Sequence, residues 1–189
     1  MLTNLPNILT LSRIVVVPIV VGCVAWGTPW ASALGCVIFI LAGITYYLDG
    51  KLARARQQLS DFGRMFDPIA DKLLVGACLM VLVGYTRVPY EGLWPALIIL
   101  CREILVSGMR EYLAECKTSL PVTRLAKWKT GFQMTAIGFL LAGNGTSVLL
   151  GEPRLPIAMI GAVLLWIAAV LTLITGWDYL IIGIRHVER

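Results

Sequence analysis

The sequence predicts an all-α, polytopic membrane protein with six transmembrane helices and both termini in the cytoplasm. Three observations carry that expectation. Of 189 residues, 58% are hydrophobic and 14% charged, and the mean hydropathy is +0.82, more apolar than a soluble core of this size needs. Six apolar runs, near 8–26, 31–49, 68–86, 92–112, 130–150 and 155–184, approach the roughly 20 residues that cross about 30 Å of hydrocarbon. Basic residues also fall on alternate connections. Lys51, Arg54, Arg56 and Arg64 lie between runs two and three; Lys117, Arg124, Lys127 and Lys129 between four and five; Arg185 and Arg189 after six. The opposite connections hold only Arg87 and Arg154, so the basic side is the cytoplasmic one.

Each run is justified in turn. The first contains Arg13, lacks a clean small-residue cleavage site and is too long for a signal core, so it is expected to stay as a span. Gly27-Thr28-Pro29 turns the chain into the second, and Val88-Pro89-Tyr90 separates the third from the fourth. The segment from Gly143 to Pro156 is expected to be the longest and most mobile outer connection. The inner connections are polar and regularly patterned, and are expected to prolong the flanking helices beyond the hydrocarbon. No repeat or long linker divides the chain, so residues 1–189 form one expected domain. Trp26, Trp30, Trp94 and Trp128 lie near span ends, as interfacial anchors do.

Composition also excludes classes. The net charge of +5 is accounted for by topology and by affinity for anionic headgroups, and no nucleic-acid partner is expected. The five cysteines are scattered without CxxC spacing and are read as small apolar fillers. His186 is the single histidine and lies in the terminal tail, so any metal must be held by oxygen.

The functional signal is YYLDGKLARARQQLSDFGRMFDPIADKLL, residues 46–74. Tyr46, Asp49 and Ala53 share one helical face, and Gly63, Asp67 and Asp71 share another. Three carboxylates brought together repel unless a divalent cation neutralises them, and carboxylates alone suit hard ions such as Mg2+, Mn2+ or Ca2+. Gly50, Ala53 and Gly63 are small where a ligand needs close approach, and Arg54 beside them suits a phosphate. Carboxylates at membrane depth also suit cation transport.

The pattern D49-G50-x2-A53-R54-x8-G63-x3-D67-x3-D71 resembles that of the CDP-alcohol phosphotransferases, six-helix membrane enzymes that join a CDP-linked lipid or alcohol to an acceptor hydroxyl and release CMP. LPNILTLSR, CREILVSGMREYLAE, KWKTGFQM and AAVLTLITGWDYL extend the resemblance over nearly the whole chain. They look most like the branch that condenses CDP-diacylglycerol with sn-glycerol 3-phosphate in phospholipid biosynthesis at the inner (cytoplasmic) membrane.

The resemblance implies Mg2+ or Mn2+ held by Asp49 and Asp67, with Asp71 a further metal ligand or the general base, the role the last aspartate usually takes in the family. It implies a CDP site at Asp49, Gly50, Ala53, Arg54 and Gly63, with Asn7, Thr10 and Arg13 contributing from helix one. Arg13 alternatively snorkels to the inner interface. The acceptor phosphate is assigned to Arg110, Lys127 and Lys129, supported by Arg102 and Thr130, with Glu103 orienting an arginine. Membrane lipids and a second copy of the chain, as a homodimer, are the other implied partners, and the active site faces the cytoplasm.

One position departs from the family pattern. The family has a further aspartate three residues before the Asp-Gly pair, where this chain has Tyr46. A phenol with an ordinary pKa near 10 is a poor and bulky substitute for a carboxylate. Impaired activity is therefore expected. The alternatives are a family member or engineered variant that binds CDP-lipid without turning it over, a family member using another acceptor alcohol, and a cation transporter.

Overall fold

The computed structural model describes residues 5–56, 61–116, 123–149, 151–152 and 155–187; within these, the side chains of 5–10, 46–56, 61–65, 67, 115 and 185–187 lie outside the description. The described residues form six helices and no strand. They are α1 Leu5–Trp26, α2 Pro29–Arg56, α3 Asp61–Gly84, α4 Leu93–Glu115, α5 Arg124–Leu149 and α6 Ile157–Val187.

Local chemistry fixes several boundaries. Gly27 adopts φ +76° between α1 and α2, a left-handed conformation that costs glycine little. Thr28 then caps α2, its Oγ1 accepting from the Ala31 amide at 3.3 Å, with Pro29 in the first helical position. Thr123 does the same for α5, accepting from the Ala126 amide at 3.2 Å. The inner ends run past the apolar stretches: α2 continues to Arg56, α3 begins at Asp61 and α5 at Arg124, as the polar patterning of those connections leads one to expect.

The outer connection after α5 differs from the sequence expectation. Residues 143–149 are helical, not part of a long loop. Gly143, at φ 62° and ψ 176°, breaks the helix direction, and the chain resumes helical geometry beyond it. Asn144 fastens this turn to α6, its Oδ1 accepting from the Ala158 amide at 2.9 Å, while the Ser147 hydroxyl donates to the Asn144 carbonyl. Side chains of low helix propensity thus make tertiary bonds that composition alone does not reveal.

The helices close a ring in the order α1, α2, α5, α6, α4, α3, with α3 also touching α5. One hydrophobic cluster draws on all six. It includes Val20 and Val24 of α1, Phe39 of α2, Leu79 and Leu82 of α3, Ile99 of α4, Ile137 and Leu140 of α5, and Leu165 of α6. Gly161 lets α6 approach α5, since a Cβ there would stand 2.8 Å from Leu140 Cγ and 3.1 Å from its backbone nitrogen. The outward face is apolar too, with Val15, Leu41, Met80, Val163 and Val170 all exposed.

Among the described residues, α6 is long and apolar enough to cross a membrane by itself, over Ile157–Ile184 with mean hydropathy 2.7; Leu11–Trp26 and Pro29–Thr45 are shorter apolar stretches. α3 and α4 carry Asp71, Lys72, Arg102, Glu103 and Arg110 along their length, the side chains from which the site is built.

Candidate active site

Asp49, Gly50, Ala53 and Arg54 lie on the last two turns of α2, and Gly63 and Asp67 on the first two of α3. The backbone is helical through both stretches, so the spacings 46–49–53 and 63–67–71 keep one face each. The side chains at 46, 49, 50, 53, 54, 63 and 67, and those of Asn7 and Thr10 on α1, lie outside the described residues. Pro68, between Asp67 and Asp71, has no N–H to return to the preceding turn, so α3 is weakened there.

Asp71 is half-buried and opens on a cavity of about 680 Å³ between α2 and α5. Asp71 and Thr130 sit toward its inner end. Cys36, Phe39, Ile40, Gly43 and Ile44 of α2 face Met134, Gly138, Phe139 and Ala142 of α5 along its length. Among the described residues Asp71 forms no ion pair. Arg13, Lys72 and Lys129 nevertheless lie within electrostatic reach, as does the like-charged Glu103. Arg13 is 3% exposed, buried within the bundle and not snorkelling to the interface.

Lys129 is equally buried and donates to Glu103 Oε1. Glu103 also lies 3.7 Å from Arg102 Nη1, so one carboxylate faces two cations. Arg102 Nη2 donates to Thr175 Oγ1 at 3.1 Å, and Thr175 passes its own proton to the Leu171 carbonyl at 2.8 Å. Arg110 Nη2 reaches the Tyr179 hydroxyl at 3.5 Å. Asp71, Arg13, Lys129, Glu103, Arg102 and Arg110 therefore form a connected set. Lys127 is exposed outside it, and Thr130 enters through the cavity wall, its hydroxyl donating to the Ala126 carbonyl at 3.1 Å.

Thr175 and Tyr179 are the residues that reading the sequence missed. The available signal was faint: two hydroxyls one turn apart on a mostly apolar helix that also carries Thr172 and Asp178.

Carboxylates, the residue type at 49, 67 and 71, suit a hard divalent cation, and among the described residues Asp71 forms no ion pair that would compete for one. The neighbouring cations suit anionic ligands such as phosphates.

Residues 3–174 match the CDP-alcohol phosphatidyltransferase family, and the chain belongs to that family. It is 45% identical over 176 residues to the CDP-diacylglycerol–glycerol-3-phosphate 3-phosphatidyltransferase of Rickettsia felis, covering 93% of each chain. The enzyme of the same name from Bacillus subtilis is 35% identical over 188 residues, again with 93% of each covered. A cardiolipin synthase (CMP-forming) from Oryza sativa subsp. japonica is 38% identical over 161 residues, 78% of this chain and 48% of the rice protein.

Proposed function

We propose that the protein transfers the phosphatidyl group of CDP-diacylglycerol to sn-glycerol 3-phosphate and releases CMP. Beyond family membership, one observation carries this reading: Asp71 lines the inner end of an apolar cavity of about 680 Å³, and Arg13, Lys72 and Lys129 lie within electrostatic reach of it. A lipid diphosphate needs that combination, with hydrocarbon for an acyl chain, cations for phosphates and a carboxylate for a proton.

The acceptor hydroxyl oxygen attacks the lipid-side phosphorus. A new P–O bond forms, the anhydride bond to CMP breaks, and the hydroxyl proton passes to the Asp71 carboxylate. Asp49, Asp67 and Asp71 would hold Mg2+ or Mn2+, which when bound neutralises diphosphate charge and polarises phosphoryl oxygens. Gly50, Ala53, Arg54 and Gly63, with Asn7, Thr10 and Arg13, bind the CDP moiety. Arg110, Lys127 and Lys129, with Arg102 and Thr130, bind the acceptor phosphate. Glu103 orients Arg102 and Lys129, lying 3.7 Å from the first and accepting from the second.

All six helices span the cytoplasmic membrane with both termini inside. The lysine and arginine asymmetry, the exposed apolar flanks and the exposed Trp26, Trp30, Trp94 and Trp128 support this. The reactive headgroup then sits at the inner interface while the acyl chains stay in lipid. A second copy of the chain is the expected protein partner.

A second reading is favoured by one residue. Tyr46 stands where the family pattern has an aspartate, so the chain as written binds CDP-lipid weakly and turns over little. CMP release from CDP-diacylglycerol across a panel of glycerol 3-phosphate, inositol phosphate, serine and phosphatidylglycerol, run for this chain and for Tyr46→Asp, tests both. Preference for glycerol 3-phosphate supports the proposal, and preference for another acceptor overturns it.

A further inference from the structure

Tyr179 touches two guanidinium groups at once. The Cζ atoms of Arg102 and Arg110 each lie 5.5 Å from its ring centroid, within cation–π range. Its hydroxyl accepts from Arg110, and one turn earlier Thr175 accepts from Arg102. Both α6 residues are essentially buried, so the surface presented to the arginines is fixed by packing. Gly176 completes it, because a Cβ there would stand 3.0 Å from Arg102 Cγ and lift that side chain away from α6.

Holding two guanidiniums beside one ring is unfavourable without an anion, since each repels the other. Glu103 relieves this only in part: it lies beside Arg102 but also accepts from Lys129, and among the described residues no carboxylate pairs with Arg110. A π face attracts a cation without neutralising it, so the arginines stay available to a ligand. Planar forks held near one another suit the several oxygens of a phosphate monoester.

We infer that Tyr179 is a positioning residue, its ring holding Arg102 and Arg110 as a paired clamp for the phosphate of an anionic acceptor. This rests on the acceptor reading above and adds to it the platform that orders the clamp. The hydroxyl's contact with Arg110 is long, so the ring is assigned the larger part in holding the two guanidiniums.

The test is calorimetric titration of the full chain in nanodiscs with inorganic phosphate, with sn-glycerol 3-phosphate and, as an internal control, with CDP and Mg2+. Three variants are compared with the unaltered chain. Tyr179→Phe keeps the ring. Tyr179→Leu removes it, and Tyr179→Met removes it while better preserving volume, should the leucine variant fail to fold. Phosphate affinity is expected to stay within about threefold in Tyr179→Phe and to fall about tenfold or more in the other two, with CDP affinity unchanged. Unchanged phosphate affinity without the ring overturns the inference. So does equal loss in Tyr179→Phe, parallel loss of CDP affinity, or absence of phosphate binding by the unaltered chain. If the clamp behaves as expected but glycerol 3-phosphate binds no tighter than phosphate, the positioning role stands and the acceptor reading falls.

Discussion

Glu103 lies 3.7 Å from Arg102 and accepts from Lys129, so its removal leaves a buried ammonium without its partner. Breaking such a pair from one side costs about 3 kcal/mol. Glu103→Ala should accordingly lower the melting temperature in detergent, whereas Lys127→Ala, at an exposed position, should leave it nearly unchanged. Equal effects from the two would mean that the Glu103 network contributes nothing to stability. Asp71 makes a different case, because among the described residues its oxygens are not engaged by an ion pair. Asp67→Ala and Asp71→Ala should each reduce CMP release at least about 100-fold, measured in the Tyr46→Asp background, with little change in melting temperature. Undiminished turnover in both would remove the carboxylate mechanism. At this scale the sequence was informative wherever charge stood out against an apolar background, as at Asp71, Arg102, Arg110 and Lys129. It was uninformative at Tyr179, where an aromatic residue inside an apolar helix looks like ordinary packing until two arginines from α4 are seen against it.

The helices themselves were legible because their apolar runs are long and the breaks between them short. The boundaries were less so: capping at Thr28 and Thr123 depends on a hydroxyl reaching an amide three residues on, a geometry that sequence only hints at. The stretch after Gly143 reads in sequence as loop because Gly and Pro punctuate it, yet Asn144 spends its polarity on the α6 backbone. How α5 and α6 pair was not legible either. Their closest approach depends on Gly161, where added volume meets Leu140, including its backbone. Alanine gains about 1 kcal/mol over glycine from helix propensity, but overpacking against a neighbour that cannot easily yield costs about 1–3 kcal/mol. Gly161→Ala should therefore be destabilising by denaturant titration in detergent, and Gly161→Leu more so. Gly108→Ala, with open space at its Cβ, should be neutral or stabilising. Stabilisation by Gly161→Ala would show that α5 and α6 separate at little cost.

For the whole molecule, the six-helix ring leaves apolar side chains on its outside as well as its inside, and the basic residues gather at one end. If that end faces the cytoplasm, Thr123→Cys, at the start of α5, should react with an impermeant thiol reagent only after the membrane is opened. Glu152→Cys, between α5 and α6, should react from outside in intact cells. Both variants belong in a background with the five native cysteines replaced. The reverse pattern would invert the topology. The same orientation puts Asp49, Asp67 and Asp71 where a cytosolic acceptor and a membrane-held CDP-lipid meet. Position 46 precedes Asp49 by three residues on the same helical face of α2, so a carboxylate there is expected to reach the ions proposed for Asp49. The most direct measurement is metal-dependent CMP release from CDP-diacylglycerol and glycerol 3-phosphate, comparing this chain with Tyr46→Asp as matched, folded protein in nanodiscs with saturating Mg2+ or Mn2+. The expected result is little or no release from the chain as written and robust, glycerol 3-phosphate-dependent release from Tyr46→Asp. Full activity in the chain as written, with no gain from the substitution, would contradict it.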